Sequence, residues 1–222
     1  HRLKMIIGLV GFIGSGKDTA AQEFVKLNYK KDSFAAPLKD VCATMFGWSR
    51  ELLEGDTVES REFRETPDMF WTRKLGIDNF TPRLALQLIG TDVLRNHFSQ
   101  DIWLNSLEYR IRKNTLNSES IVISDARFKN ELELIKDMGG KIVWVRRGEL
   151  PEWYDVAASA HTGNAVSRKI MQTRYRDIHE SEWNWVGFKP DYTIFNTGTL
   201  EELHHRVLEI NLDIKKPRLV AV

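Results

Sequence analysis

An α/β fold, three layers around a central parallel sheet of about five strands, is expected for this chain from three features. Short apolar runs alternate with helical patterns, a glycine-rich turn separates the first run from the first helix, and a later run ends on an aspartate. Strands separated by helices imply parallel βαβ units with helices on both faces.

In order, Met5–Val10 is a continuous apolar run of strand type. Ala20, Ala21, Phe24 and Val25 then line one face of a helix. Ser33–Ala36 reads as a second strand, stopped by Pro37 where a helix should start. Ile121–Ser124 is a third strand, read as buried because it lacks polar alternation. Leu132, Ile135 and Met138 recur at helical spacing and stop at Gly139-Gly140. Lys141–Val145 and Tyr192–Phe195 are the fourth and fifth strands. Thr199 and Glu202 form a T-x-x-E capping box ahead of Leu200, Leu203, Val207 and Ile210.

The 222 residues suit one domain with embellishments, and a chain of this size buries roughly 70% of its unfolded surface. Lys+Arg number 32 against 31 Asp+Glu, a formal charge of +1. That balance argues against coating polymeric nucleic acid or an anionic membrane by bulk charge, and leaves room for a local basic site. The single Cys42 cannot form an intramolecular disulfide, so a reducing, cytoplasmic setting is expected (a host cytoplasm if the chain is phage-encoded). No apolar run approaches the roughly 18 residues of a membrane span, and no signal-peptide pattern is present.

The most informative segment is Gly11-Phe12-Ile13-Gly14-Ser15-Gly16-Lys17-Asp18-Thr19, which matches G-x-x-x-x-G-K between a strand and a helix. Glycines let successive backbone N–H groups turn toward phosphates, and the helix N-terminus adds positive potential. Lys17 supplies a mobile charge to the β- and γ-phosphates. Asp18 stands where a Ser or Thr hydroxyl normally touches Mg²⁺. It binds the metal directly or through water, or Thr19 substitutes, or Asp18 only favours the helix start. Asp125 ends the run Ile121-Val122-Ile123-Ser124, the arrangement that positions Mg²⁺ or its water beside a phosphate loop. Arg127 lies at the same strand edge, and its planar fork suits phosphate oxygens. The expected architecture is therefore a P-loop NTPase fold.

Two segments interrupt the repeat: residues 48–81, polar and charged, and residues 147–190, aromatic and basic. Insertions of this kind are usually lids or binding loops. No guanine-reading Asn-Lys-x-Asp and no Leu-Ser-Gly-Gly signature occurs. Trp48, Trp71, Trp153, Trp183 and Trp185 fall in or beside the insertions, either to stack on a base or to pack small cores under long loops. Between Ala165 and Arg176 there are four basic residues and no acid, and Arg168 and Arg174 are the candidates for the transferred phosphate. Arg146, Arg147, Lys169 and Arg176 belong to the same basic set. His161 and His179 lack the companions of a metal site, and His204-His205 read as structural.

Further blocks are Phe34-Ala35-Ala36-Pro37-Leu38-Lys39-Asp40, Arg83-x-x-x-Gln87-x-x-Gly90-Thr91-Asp92 and Asp101-x-Trp103. They are followed by Ser124-Asp125-x-Arg127-Phe128-x-Asn130-Glu131, His179–Glu182 and Phe195–Leu203. With the phosphate loop, this ordered set resembles the bacteriophage deoxynucleoside monophosphate kinases along roughly 200 residues; only the loop is specific by itself. The resemblance implies transfer of the ATP γ-phosphoryl group, with Mg²⁺, to a deoxynucleoside 5′-monophosphate. It implies that Ile13, Gly14, Ser15, Gly16, Lys17, Asp18 and Thr19 hold the ATP phosphates, and that Asn196 and Gly198 border the adenine. Lys39, Arg83 and Arg127 would meet the acceptor phosphate and Gln87 the base, with Asp18 and Asp125 as metal contacts. It further implies a single domain over residues 1–222, with an acceptor-binding insertion at about 37–100 and a lid at about 147–190. Its partners would be small-molecule nucleotides, and a homodimer is compatible with it. The alternatives are a P-loop kinase of a non-nucleotide acceptor, of dephospho-coenzyme A or phosphomevalonate type, and a non-catalytic nucleotide-binding regulator.

Overall fold

The computed structural model describes residues 5–114 and 119–216. β1 (Ile6–Val10), α1 (Lys17–Lys26) and β2 (Tyr29–Asp32) open the chain. α2 (Ala36–Phe46), a 3-10 turn (Glu51–Leu53), α3 (Val58–Glu65), α4 (Met69–Leu75) and α5 (Pro82–Gln87) follow. A π-helical stretch (Leu88–Phe98) and α6 (Ile102–Asn114) lead to β3 (Ser120–Ile123), α7 (Lys129–Asp137) and β4 (Lys141–Arg146). α8 (Tyr154–His161), α9 (Ala165–Thr173), α10 (Glu180–Trp183), β5 (Tyr192–Phe195) and α11 (Leu200–Lys215) complete it. Contacts divide the chain into two compact units, Phe34–Arg110 and the remainder.

The larger unit carries a five-stranded parallel sheet in the order β2-β3-β1-β4-β5. Alternation along β1 assigns its faces. Ile7 and Leu9 join Ala20, Ala21 and Phe24 of α1 and Leu203, Val207 and Ile210 of α11 in one core. Gly8 faces the other way, toward Ile135 of α7 and Ile142 of β4. Helices therefore cover both faces, the three-layer arrangement expected. β1 is central, with β3 on one side and β4 on the other, so its carboxyl end is the switch point where ligands bind in such sheets.

Two local expectations are corrected. The second strand is Tyr29–Asp32, and Ser33–Ala35 is the turn into α2, which Ala36 begins and which holds Pro37 in its first turn. Tyr-Lys-Lys-Asp gives no apolar alternation because β2 is an edge strand, and exposed charges such as Lys30 discourage pairing with other chains. Val25 does not belong to the buried face of α1; it is exposed, and Glu23 is buried instead. Glu23 reaches across to α11, where His204 Nδ1 lies 2.7 Å from its Oε2, and it also accepts from Lys26 Nζ at 2.8 Å.

The smaller unit gathers Phe46, Trp48, Trp71 and Phe80 into one aromatic cluster. Asp68 organises it, accepting from Trp48 Nε1 at 2.9 Å while its other oxygen accepts from Trp71 N at the start of α4. The π-helical stretch is long for its kind. Its Gly90 carbonyl accepts from the Trp103 indole N–H at 3.1 Å, so a side chain serves one of its backbone oxygens.

Candidate active site

The phosphate loop connects β1 to α1. Ser15 N donates to the Phe12 carbonyl at 3.1 Å, closing the turn, and Gly14 and Gly16 take left-handed backbone at φ +79° and +87°. Ser15 is 3% exposed and its Oγ has no hydrogen-bond partner among the described residues. A buried hydroxyl without a partner is costly, and here it lies in the loop whose backbone is shaped for an anion.

Lys17 begins α1, is partly buried, and makes no hydrogen bond or ion pair through its ammonium among the described residues. Its pKa lies below the ordinary lysine value, first through burial and then through the nearby Arg127 guanidinium. Asp125, Asp18 and Glu131 pull the other way without prevailing. These four groups therefore lie near enough to act on the charge of one lysine. Asp125 follows β3 and is half-buried, whereas Asp18 and Thr19 are exposed in the first turn of α1. Arg127 is exposed and its guanidinium makes no hydrogen bond among the described residues. Its backbone is fixed by Glu131, 6% exposed, which accepts from Arg127 N at 3.2 Å and Phe128 N at 3.0 Å.

Aromatic and basic side chains pack on the loop and on the ends of β4 and β5. Phe12 packs against Trp153, Tyr154 and Trp185, with centroids at 5.6, 6.4 and 4.7 Å. Arg146 lies over both Trp144 and Phe195, at 4.7 and 5.1 Å from their centroids. Asn196 Nδ2 donates to the Ser15 carbonyl at 3.0 Å, and Gly198 leaves room for Glu202, which closes the capping box of α11. Arg168 and Arg174 are exposed on and just after α9, with no acid paired to either among the described residues.

Within the smaller unit, Lys39 is paired with Glu54 at 3.2 Å and is 14% exposed. Glu54 also meets Arg50, and these two cations hold its carboxyl below the ordinary glutamate value against the opposing effect of burial. Arg83 is 66% exposed and pairs with Glu65, and Gln87 is exposed at the end of α5.

A deoxynucleotide monophosphate kinase family model matches residues 53–159. A protein of Acanthamoeba polyphaga mimivirus, named "putative deoxynucleotide monophosphate kinase", is 35% identical over 215 residues, covering 92% of this chain and 94% of that protein. The chain belongs to the deoxynucleotide monophosphate kinase family. Deoxynucleoside-5′-monophosphate kinase of Escherichia phage T5 is 27% identical over 186 residues, covering 61% of this chain and 73% of that one. A dephospho-CoA kinase from Campylobacter jejuni has a TM-score of 0.48 at 12% identity, covering 96% of this chain and 99% of that one.

In this family member Lys17 and Asp18 follow β1 through the loop, and Asp125 and Arg127 follow β3, at the carboxyl edge of the sheet. Glu131 is an addition to the reading from sequence, as are the packing of Phe12 on Trp185 and the stacking of Arg146, already counted in the basic set, on Trp144 and Phe195. Glu131 ends the Ser124–Glu131 motif, whose spacing gives no sign that its carboxylate caps the Arg127–Phe128 backbone. Four of the five singled-out tryptophans, Trp48, Trp153, Trp183 and Trp185, are buried, which fits small cores under the insertions. His179 caps α10, and His161 Nδ1 lies 3.1 Å from the Asn184 carbonyl oxygen. Among the described residues no helix is long and apolar enough to cross a membrane.

Proposed function

We propose that this kinase transfers the γ-phosphoryl group of ATP to a deoxynucleoside 5′-monophosphate, giving the diphosphate and ADP. The observation that carries the reading is Lys17 at the start of α1, just after the left-handed Gly14 and Gly16, with Asp125, Asp18 and Arg127 near enough to act on its charge. In the reaction an acceptor phosphate oxygen bonds to the γ-phosphorus as the bond to the β,γ-bridging oxygen breaks. The acceptor is already ionised at neutral pH, so the protein needs no strong base; it must align the partners and neutralise charge.

Loop residues Ile13–Thr19 would present N–H groups to the ATP phosphates, and Lys17 would follow the γ-phosphoryl group. Arg127 would clamp the phosphates bidentately, and the backbone of Asn196–Gly198 would border the adenine. The donors fit Mg²⁺. Asp18, Thr19 and Asp125 would offer oxygen atoms to it beside the loop, and among the described residues no group of three or more His, Cys, Asp or Glu could hold a metal unaided. Such a site suits an ion that keeps its waters and leans on substrate phosphates. Mg²⁺ when bound neutralises charge on the β- and γ-phosphates. Lys39, Arg83 and Gln87 are assigned to the acceptor, Arg168 and Arg174 to a lid over residues 147–190 that excludes water.

A coupled assay of ADP release over the deoxynucleoside monophosphates, with coenzyme A precursors as controls, tests the reading. Turnover with at least one deoxynucleotide and none with the precursors is expected. Turnover with the precursors alone would replace the acceptor, and no turnover with either would end the kinase assignment.

A further inference from the structure

Asn196 is the first residue after β5. Its backbone N–H donates to the Arg146 carbonyl at 2.7 Å, continuing the ladder that pairs Arg146 with Phe195. Its side-chain Nδ2 donates to the Ser15 carbonyl at 3.0 Å, linking the last strand to the phosphate loop. A Cβ at Gly16 would collide with that same Nδ2, so the amide fills the space that only glycine leaves open. Three residues further on the α11 cap begins, where Thr199 N donates to Glu202 Oε2 at 3.0 Å and Glu202 N to Thr199 Oγ1 at 3.2 Å.

The Ser15 carbonyl and the Gly16 N–H belong to one planar peptide, and in a trans peptide they point in opposite directions. Fixing the carbonyl on Asn196 therefore fixes where the Gly16 N–H points. We infer that Asn196 is a positioning residue of the phosphate loop: its side-chain amide holds the Ser15–Gly16 peptide so that the Gly16 N–H faces the nucleotide phosphates. The side chain thus serves the triphosphate and not the base. This rests on reading Gly11–Thr19 as the ATP phosphate site.

The test compares binding of ATP, GTP and inorganic tripolyphosphate, each with Mg²⁺, to the wild type and to Asn196→Ala by calorimetry. All three should weaken by a common factor of about tenfold, the scale of one lost hydrogen bond. Weakening confined to ATP, or none, would overturn the inference. Asn196→Asp, which keeps the shape but sets a carboxylate against the Ser15 carbonyl, should weaken all three further. Should Asn196→Ala fold poorly, the Asp variant decides alone. Hydrogen exchange of the Gly16 amide in nucleotide-free protein provides a reading that base contact would not move: both variants should exchange faster, and an unchanged rate would overturn the inference. Failure of the wild type to release ADP with deoxynucleotides would end the kinase reading and leave these binding comparisons intact.

Discussion

The Phe12 ring lies 4.7 Å from that of Trp185, centroid to centroid, so the second residue of the phosphate loop is packed into the aromatic base of the 147–190 segment. Trp153 and Tyr154 complete that packing. The loop is thereby braced by side chains far away in sequence as well as by its own glycines.

Phe12→Ala should lower stability by about 2 kcal/mol, less than a fully buried Phe would cost because Phe12 is only partly buried. It should also weaken ATP binding, since the turn loses its outer support. Denaturant unfolding and an ATP titration check both. Unchanged affinity would mean that the brace and the loop are independent.

Burial and Arg127 hold the Lys17 pKa below the ordinary 10.5. Bound phosphates favour the charged lysine, so affinity for ATP is greatest where Lys17 is already protonated. It should fall as pH rises through the lowered value, before an ordinary lysine would titrate. Affinity measured from pH 7 upward should show this fall in the wild type and not in Lys17→Arg. Parallel curves for the two proteins would argue against a titrating Lys17.

Glu23, 2% exposed, has its pKa below the ordinary 4.5. Burial opposes ionisation, but hydrogen bonds from Lys26 and His204 outweigh it. The sign follows: the stabilisation is complete above the ordinary glutamate value and is lost as pH falls through the lower native one. Glu23→Gln should flatten stability against pH over that acid window. His204→Ala should cost about 1–3 kcal/mol at neutral pH, because the buried carboxylate keeps only Lys26. Equilibrium unfolding at several pH values reads both effects.

Arg83 and Lys39 should separate in mutagenesis. The Arg83–Glu65 pair is exposed and worth at most about 1 kcal/mol, so Arg83 can turn to an acceptor phosphate at little cost. Arg83→Ala should raise the acceptor KM about tenfold with stability nearly unchanged. Lys39→Ala removes a cation from the half-buried Glu54, which keeps Arg50, and should also destabilise, by about 1 kcal/mol. A loss of stability in Arg83→Ala, or none in Lys39→Ala, would reverse the two roles.

Much of the larger unit was legible in the sequence because its signals are local. The apolar runs, the glycine loop and the Thr199–Glu202 box each announce themselves within a few residues. β2 was misplaced because an edge strand need not be apolar, and Tyr29 is its one buried residue. Val25 was misassigned because a carboxylate, Glu23, occupies the buried face, stabilised by His204 from a helix 181 residues away. The site followed the same division. Lys17, Asp125 and Arg127 could be named from their motifs, whereas Asn196 on Ser15 and Glu131 under Arg127 depend on packing that no spacing encodes. The π-helical geometry of Leu88–Phe98 was not visible either, and the Trp103 indole that meets the Gly90 carbonyl comes from outside that segment.

The most direct test of the central claim is phosphorus NMR of the protein mixed with ATP, Mg²⁺ and one deoxynucleoside monophosphate at a time. The account predicts that ADP and the deoxynucleoside diphosphate appear together in equal amounts with at least one of them, and that Lys17→Ala loses this transfer. ADP formed with inorganic phosphate and no deoxynucleoside diphosphate, or transfer undiminished in Lys17→Ala, would contradict it.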